Sequence, residues 1–195
     1  VLRERRACAP IIALFDEPEL HSTAVAATVA IGWNSPLIDA LNHPSFDTRS
    51  GAVSALGRLG DSESIPALSQ MMQDENAEFR ERVVRAMSRI EEGAKPHLMA
   101  ALSDDVTAVR LAALQALTLD SSETLMKILI EMMDDSNPEI RLAVADALQR
   151  FSDGRVVTPL VAALDDPDEG VSRQAQRSLD YLESVVSSRG GSSDQ

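Results

Sequence analysis

The chain has 195 residues, 44% hydrophobic and 3% aromatic, with 18 basic against 31 acidic side chains and a formal net charge of −13. That apolar content supports a buried core and excludes disorder on composition, while so few aromatics leave Ala, Leu, Val, Ile and Met to pack, which suits stacked helices. The negative field opposes a phosphate backbone or an anionic membrane surface, and a single cysteine, Cys8, excludes an internal disulfide and a cysteine-based metal site.

At the start, residues 7–15 are apolar and follow Arg3, Arg5 and Arg6, but the segment lacks the long apolar run and small-residue cleavage site of a secretory signal. No stretch approaches the roughly 18 apolar residues of a membrane span. Opening at Val1 in the middle of a helical pattern, the chain reads as a fragment, and we place it in the cytoplasm.

From there a repeat runs along the chain. His21, Arg49, Arg80, Arg110, Arg141 and Ser172 are spaced 28, 31, 30, 31 and 31 residues apart. Three places after each marker stand Ala24, Ala52, Val83, Ala113, Val144 and Ala175; six places after, the small residues Ala27, Ala55, Ala86, Ala116, Ala147 and Ser178. Seven places after come Thr28, Leu56, Met87, Leu117, Leu148 and Leu179; at ten, Ile31, Leu59, Ile90, Phe151 and Leu182, with Asp120 the one break. These offsets form one helical stripe. A small residue recurring on it means that another helix approaches closely once per repeat, as in stacked hairpins.

A second helix follows each of these. Pro36, Pro66, Pro96 and Pro159 stand where a missing amide donor costs nothing, in the first helical turn, ahead of apolar runs ending at Leu41, Met72, Leu102 and Leu164; Met126 takes the proline place in the fifth unit, whose run ends at Met133. Acidic turns at 104–105, 134–138 and 165–168 supply caps and carboxylates for the next helix start. The expected fold is therefore all-α, an α-solenoid (an α–α superhelix) of about six stacked hairpins over residues 1–186, with a flexible Ser/Gly-rich tail over 187–195.

The steps Phe79-Arg80, Val109-Arg110 and Ile140-Arg141, the alanines three and six places on, the Pro-x-Leu helices and the Ala-Leu-Gly-Arg-Leu-Gly-Asp run at 55–61 resemble HEAT repeats, in particular the phycobilisome-lyase HEAT-like type. The resemblance covers roughly residues 8–186 and implies packing rather than chemistry. It also implies that the Asp and Arg ladder (Asp74, Arg80, Asp104, Arg110, Asp135, Arg141) bridges within and between neighbouring units, with His43 and Ser172 replacing Asp and Arg near the ends. An acid–base centre needs one special constellation, not the same pair in every repeat.

No catalytic, cofactor or metal residue is assigned. His21, His43 and His97 fall in no paired ligand motif, and the His-Glu dipeptide of the family's di-iron hydroxylases does not occur. Met71, Met72, Met99, Met132 and Met133 gather in the second helices, where core packing is the first reading and an adaptable apolar surface the second. Arg82, Arg85 and Arg89 with Glu81, Glu91 and Glu92 read first as a solvated, salt-bridged face and second as a patch for an anion or an acidic partner. In the family the second helices line the concave face, so Asp39, Gln70, Met99, Ile130 and Ala163 are expected to form a partner-binding groove, apolar at its centre and polar at its rim.

The leading expectation is a non-enzymatic scaffold or adaptor that binds a protein of positive or mixed charge, needs no cofactor, and acts as a monomer or as part of a larger chain or complex. Nucleic acid and membrane are not expected partners. The alternative implied by the resemblance is a phycobilin-lyase-like accessory protein acting on a tetrapyrrole-carrying protein. A third, a DNA-lesion enzyme on a HEAT-like scaffold, is opposed by the net charge and the single Trp33.

Overall fold

The structure is a computed structural model that describes residues 2–90 and 93–190, with the backbone alone for residues 2–7, 189 and 190. Among the described residues there are twelve α-helices and no strand. In chain order they are α1 (Leu2–Ala13), α2 (His21–Ile31), α3 (Asn34–Ala40), α4 (Phe46–Leu59), α5 (Ile65–Met71), α6 (Ala77–Met87), α7 (Lys95–Ala101), α8 (Thr107–Ala116), α9 (Glu123–Met132), α10 (Pro138–Leu148), α11 (Val157–Ala162) and α12 (Glu169–Gly190). The even-numbered helices carry the marker residues and the odd-numbered helices from α3 on are the short second helices, so the chain is an all-α solenoid. None of the described helices is long and apolar enough to cross a membrane.

Local chemistry explains the element ends. Gly32 and Gly60 close α2 and α4 at φ 75° and 69°, the left-handed conformation that glycine adopts without a Cβ penalty. Pro66 and Pro96 sit in the first turns of α5 and α7. Ser45, Asn76, Ser122 and Asn137 cap α4, α6, α9 and α10 by accepting from amides two or three residues on.

The chain divides into two compact units, Val1–Leu117 and Thr118–Gln195. The division falls three residues before Asp120, the one polar residue in the ten-place row. In the first unit α2 packs on α4, α4 on α6 and α6 on α8, while α1, α3, α5 and α7 each pack against the marker helix that follows. The second unit repeats the pattern, with α10 on α12, α9 on α10 and α11 on α12. Counting α1 with α2, the described residues therefore hold six helical pairs.

Burial follows the sequence rows. The whole three-place row is buried, from Ala24 to Ala175. In the six-place row Ala55, Ala86, Ala147 and Ser178 are buried, whereas Ala27 and Ala116 are half-buried. One close helix contact is between α4 and α6: a Cβ built on Gly57 would lie 2.7 Å from Ala86 Cα. A second lies at Gly51, where a Cβ would meet the buried Phe15 ring at 2.5 Å. At the other end α12 runs through residues 187–190, where the sequence pattern suggests tail; residues 191–195 lie outside the described residues.

Candidate interaction surface

Each marker side chain reaches back over the turn that precedes its helix. Arg49, Arg80, Arg110 and Arg141 donate from Nη1 to the carbonyl six residues earlier, on His43, Asp74, Asp104 and Asp135, at 2.8–3.0 Å. The exceptions keep the same task with other atoms: His21 Nδ1 lies 2.8 Å from the Phe15 carbonyl oxygen, and Ser172 Oγ donates to Leu164 at 2.7 Å. The marker thus satisfies carbonyls at the end of the preceding helix or turn, groups a helix end leaves without partners.

The carboxylate six places before the marker folds the turn itself. Asp74, Asp104, Asp135 and Asp166 each accept the amide two residues on, at 2.8–2.9 Å. His43, in the equivalent place, accepts the Ser45 amide on Nδ1 at 3.2 Å. Two of these carboxylates, Asp104 in the first unit and Asp166 in the second, also receive an arginine from the repeat before. Arg80 makes a two-bond fork to Asp104, 2.8 Å on each arm, and also reaches Asp105; Arg141 does the same to Asp166. Burial raises the Asp104 pKa, but the Arg80 fork and the Val106 amide outweigh it and hold the carboxyl below its ordinary range; the Arg141 fork holds Asp166 down likewise. These groups are committed to the fold.

Chemistry available to a partner lies beside them, in clefts between successive odd-numbered helices. In the first unit one cleft of about 350 Å³ is lined by Ile12, Pro36, Asp39, Ala40 and His43, and one of about 320 Å³ by Met72, Ala100, Ala101, Asp104 and Asp105. In the second unit a cleft of about 520 Å³ has Ile130, Met133, Pro159 and Ala163 as its floor and Asp134 and Asp165 at its lip. Each lining mixes apolar side chains of the odd-numbered helices with acidic side chains near the ends of those helices, joined by Arg80 in the second cleft.

The sequence-derived row distributes over these surfaces unevenly. Asp39 and Gln70 are exposed and Met99 and Ile130 half-buried; Asp39 and Ile130 line clefts. Ala163 is buried at 7% exposure and contributes only to a cleft floor. Pro36, Pro159 and the alanines beside them were readable in sequence only as helix starts and spacers; their place in the floors follows from a neighbouring helix that sequence does not show. Of the methionines, Met71, Met72, Met99 and Met132 are half-buried and Met133 is buried. Arg82 and Arg85 form i,i+4 pairs with Glu78 and Glu81, while Glu91 and Glu92 lie outside the described residues.

The comparisons agree with this architecture. The family model for HEAT repeats matches residues 34–118 and 95–180. A phycocyanin operon protein Z of Pseudanabaena tenuis, described as uncharacterized, is 25% identical over 163 residues, which span 77% of this chain and 80% of that protein. The complex of CpcE and CpcF of phycocyanin lyase from Nostoc aligns at a TM-score of 0.54 with 20% identity, covering 87% of this chain and 74% of its own. A designed armadillo repeat protein in complex with the peptide (KR)4 aligns at 0.61 with 15% identity, covering 89% and 98%. With a stripe of small residues in every marker helix, an arginine over every central turn and a family match across most of its length, the chain belongs to the HEAT-repeat family.

Proposed function

We propose that the protein is a non-enzymatic scaffold whose second-helix clefts dock a segment of a partner protein, apolar residues entering the clefts and basic residues lying on their lips. The observation that carries this reading is the cleft of the second unit. Its floor of Ile130, Met133 and Ala163 is apolar, while Asp134 and Asp165 stand exposed at its edge. An apolar core with charged surroundings is the anatomy of a binding patch, and the net charge of −13 steers a cationic segment toward it. The designed armadillo relative, which holds a (KR)4 peptide, offers a parallel on the same kind of fold.

The test is fluorescence anisotropy with labelled peptides that alternate Leu with Lys or Arg, against Leu/Glu controls. Binding of the basic set alone, weakened by salt and about tenfold or more by Asp134→Lys with Asp165→Lys, is expected. Equal binding of both sets, or indifference to the reversal, would refute it.

A second reading, an accessory protein for a tetrapyrrole-carrying protein, is favoured by the likeness to the phycocyanin operon protein and to the lyase complex. Weighing against it, Phe15, Phe79 and Phe151 are buried, which leaves few rings to hold a chromophore. A red-shifted absorbance on mixing with a linear tetrapyrrole would support it.

A further inference from the structure

We propose that the cleft between the marker helices α4 and α6 is a binding site for a phosphate-class dianion, either a free phosphate or a phosphorylated side chain. It is a cavity of about 150 Å³ lined on one side by Ser50 and Ser54 and on the other by Arg82, Arg85 and Arg89. It is built from α4, α6 and the turn that follows α6, and shares no lining residue with the second-helix clefts proposed above.

Ser50 is the observation that points to a ligand. Its side chain is buried, at 6% exposure, and its Oγ has no hydrogen-bond partner among the described residues. Helical hydroxyls elsewhere in this chain relieve the same problem locally: Thr28, Ser69, Ser88, Ser184 and Ser188 each donate to the carbonyl three residues back, at 2.7–2.8 Å. Ser50 does not, and a buried hydroxyl without a partner is destabilising unless something in the cavity accepts from it.

The guanidiniums opposite can supply the rest. Arg82 commits one nitrogen to Glu78 at 2.7 Å and lies 5.9 Å from the Phe46 ring centroid, which holds its plane in place. Arg85 pairs with Glu81 at 2.8 Å, and Arg89 makes no ion pair among the described residues. Both pairs are solvent-exposed i,i+4 contacts of the weak kind, easily traded for a better acceptor. Nor are these arginines needed to cap α6, since its last carbonyls accept from the Ser88, Arg89 and Ile90 amides and from Ser88 Oγ. Three planar donor arrays with two hydroxyls across from them match a tetrahedral oxyanion, which accepts on several sides at once.

The test is amide NMR titration of the intact chain with sodium phosphate, with a phosphoserine peptide and with the same peptide unphosphorylated, at constant ionic strength. Shifts confined to residues around Ser50–Ser54 and Arg82–Arg89 are expected. Arg85→Gln with Arg89→Gln should weaken binding about tenfold or more at unchanged helicity. Ser50→Ala should weaken it severalfold without lowering the melting temperature. Saturation by phosphate and phosphopeptide alike would assign a free-anion site; tighter binding of the phosphopeptide would assign a phosphorylated partner. No localised shift with either at millimolar concentration, or shifts that persist in the double arginine variant, would overturn the proposal. So would a destabilised Ser50→Ala that binds phosphate normally, since the hydroxyl would then belong to packing.

Discussion

In two of the central repeats a single arginine, Arg80 or Arg141, does two jobs with different ends of one planar group. In Arg80, Nη1 holds the turn carbonyl of Asp74 while Nε and Nη2 fork to Asp104, a geometry a lysine's point charge cannot reproduce. Arg80→Ala would leave Asp104, whose side chain is only 12% exposed, without its counter-charge, and should cost about 3 kcal/mol in urea unfolding. Asp105 also touches Arg80 but is 85% exposed, so Asp105→Asn should change stability by less than about 0.5 kcal/mol. The same forks set the acid response. Asp104 and Asp166 titrate below their unfolded value of about 3.9. Their contribution is therefore fully present above that value and lost as pH falls through the depressed folded pKa. Melting temperature should fall below about pH 4, and Asp104→Asn should remove part of that slope while lowering stability at neutral pH; an unchanged slope would separate the fork from acid unfolding.

Between elements, backbone proximity decides what the small residues are for. Gly57 brings α4 to α6 so closely that an added Cβ meets the Ala86 backbone, which cannot swing aside as a side chain would. Ordinarily Gly→Ala inside a helix gains about 1 kcal/mol in propensity. Here overpacking should reverse the sign, and Gly57→Ala should destabilise by about 1–3 kcal/mol in denaturant unfolding. Enhanced stability would mean that the two helices separate at little cost. The exposed Arg58 next to it provides the control, since Arg58→Ala alters neither the helix contact nor the propensity much.

At the level of the molecule, stability and recognition draw on different residues. Met99, in the first unit, and Ile130, in the second, are half-buried on second helices, away from the fully buried three-place row of the marker helices. Met99→Glu with Ile130→Glu should leave helicity and melting nearly intact while abolishing binding of Leu/Lys peptides. Loss of fold would place both in the core, and retained binding would move the interface elsewhere. Because repeat contacts are mainly between neighbours, damage to either unit should appear as partial unfolding before global loss.

Sequence alone determined the helical repeat, its small-residue stripe, the proline starts and the acidic turns, because helix periodicity, capping and turn chemistry act over a few residues and leave a pattern wherever they recur. What it could not place depends on residues far apart in the chain. Phe15 packs on Gly51, Arg80 forks to a carboxylate 24 residues on, Ile130 and Pro159 join one cleft, and Ser50 is left without a partner opposite three arginines. The break at Asp120 is visible in the row, yet only the tertiary contacts make it the neighbourhood where two compact units divide. Such facts come from how one helix seats against the next, and a displacement of an ångström or two there changes which side chains meet without altering any local signal in the sequence.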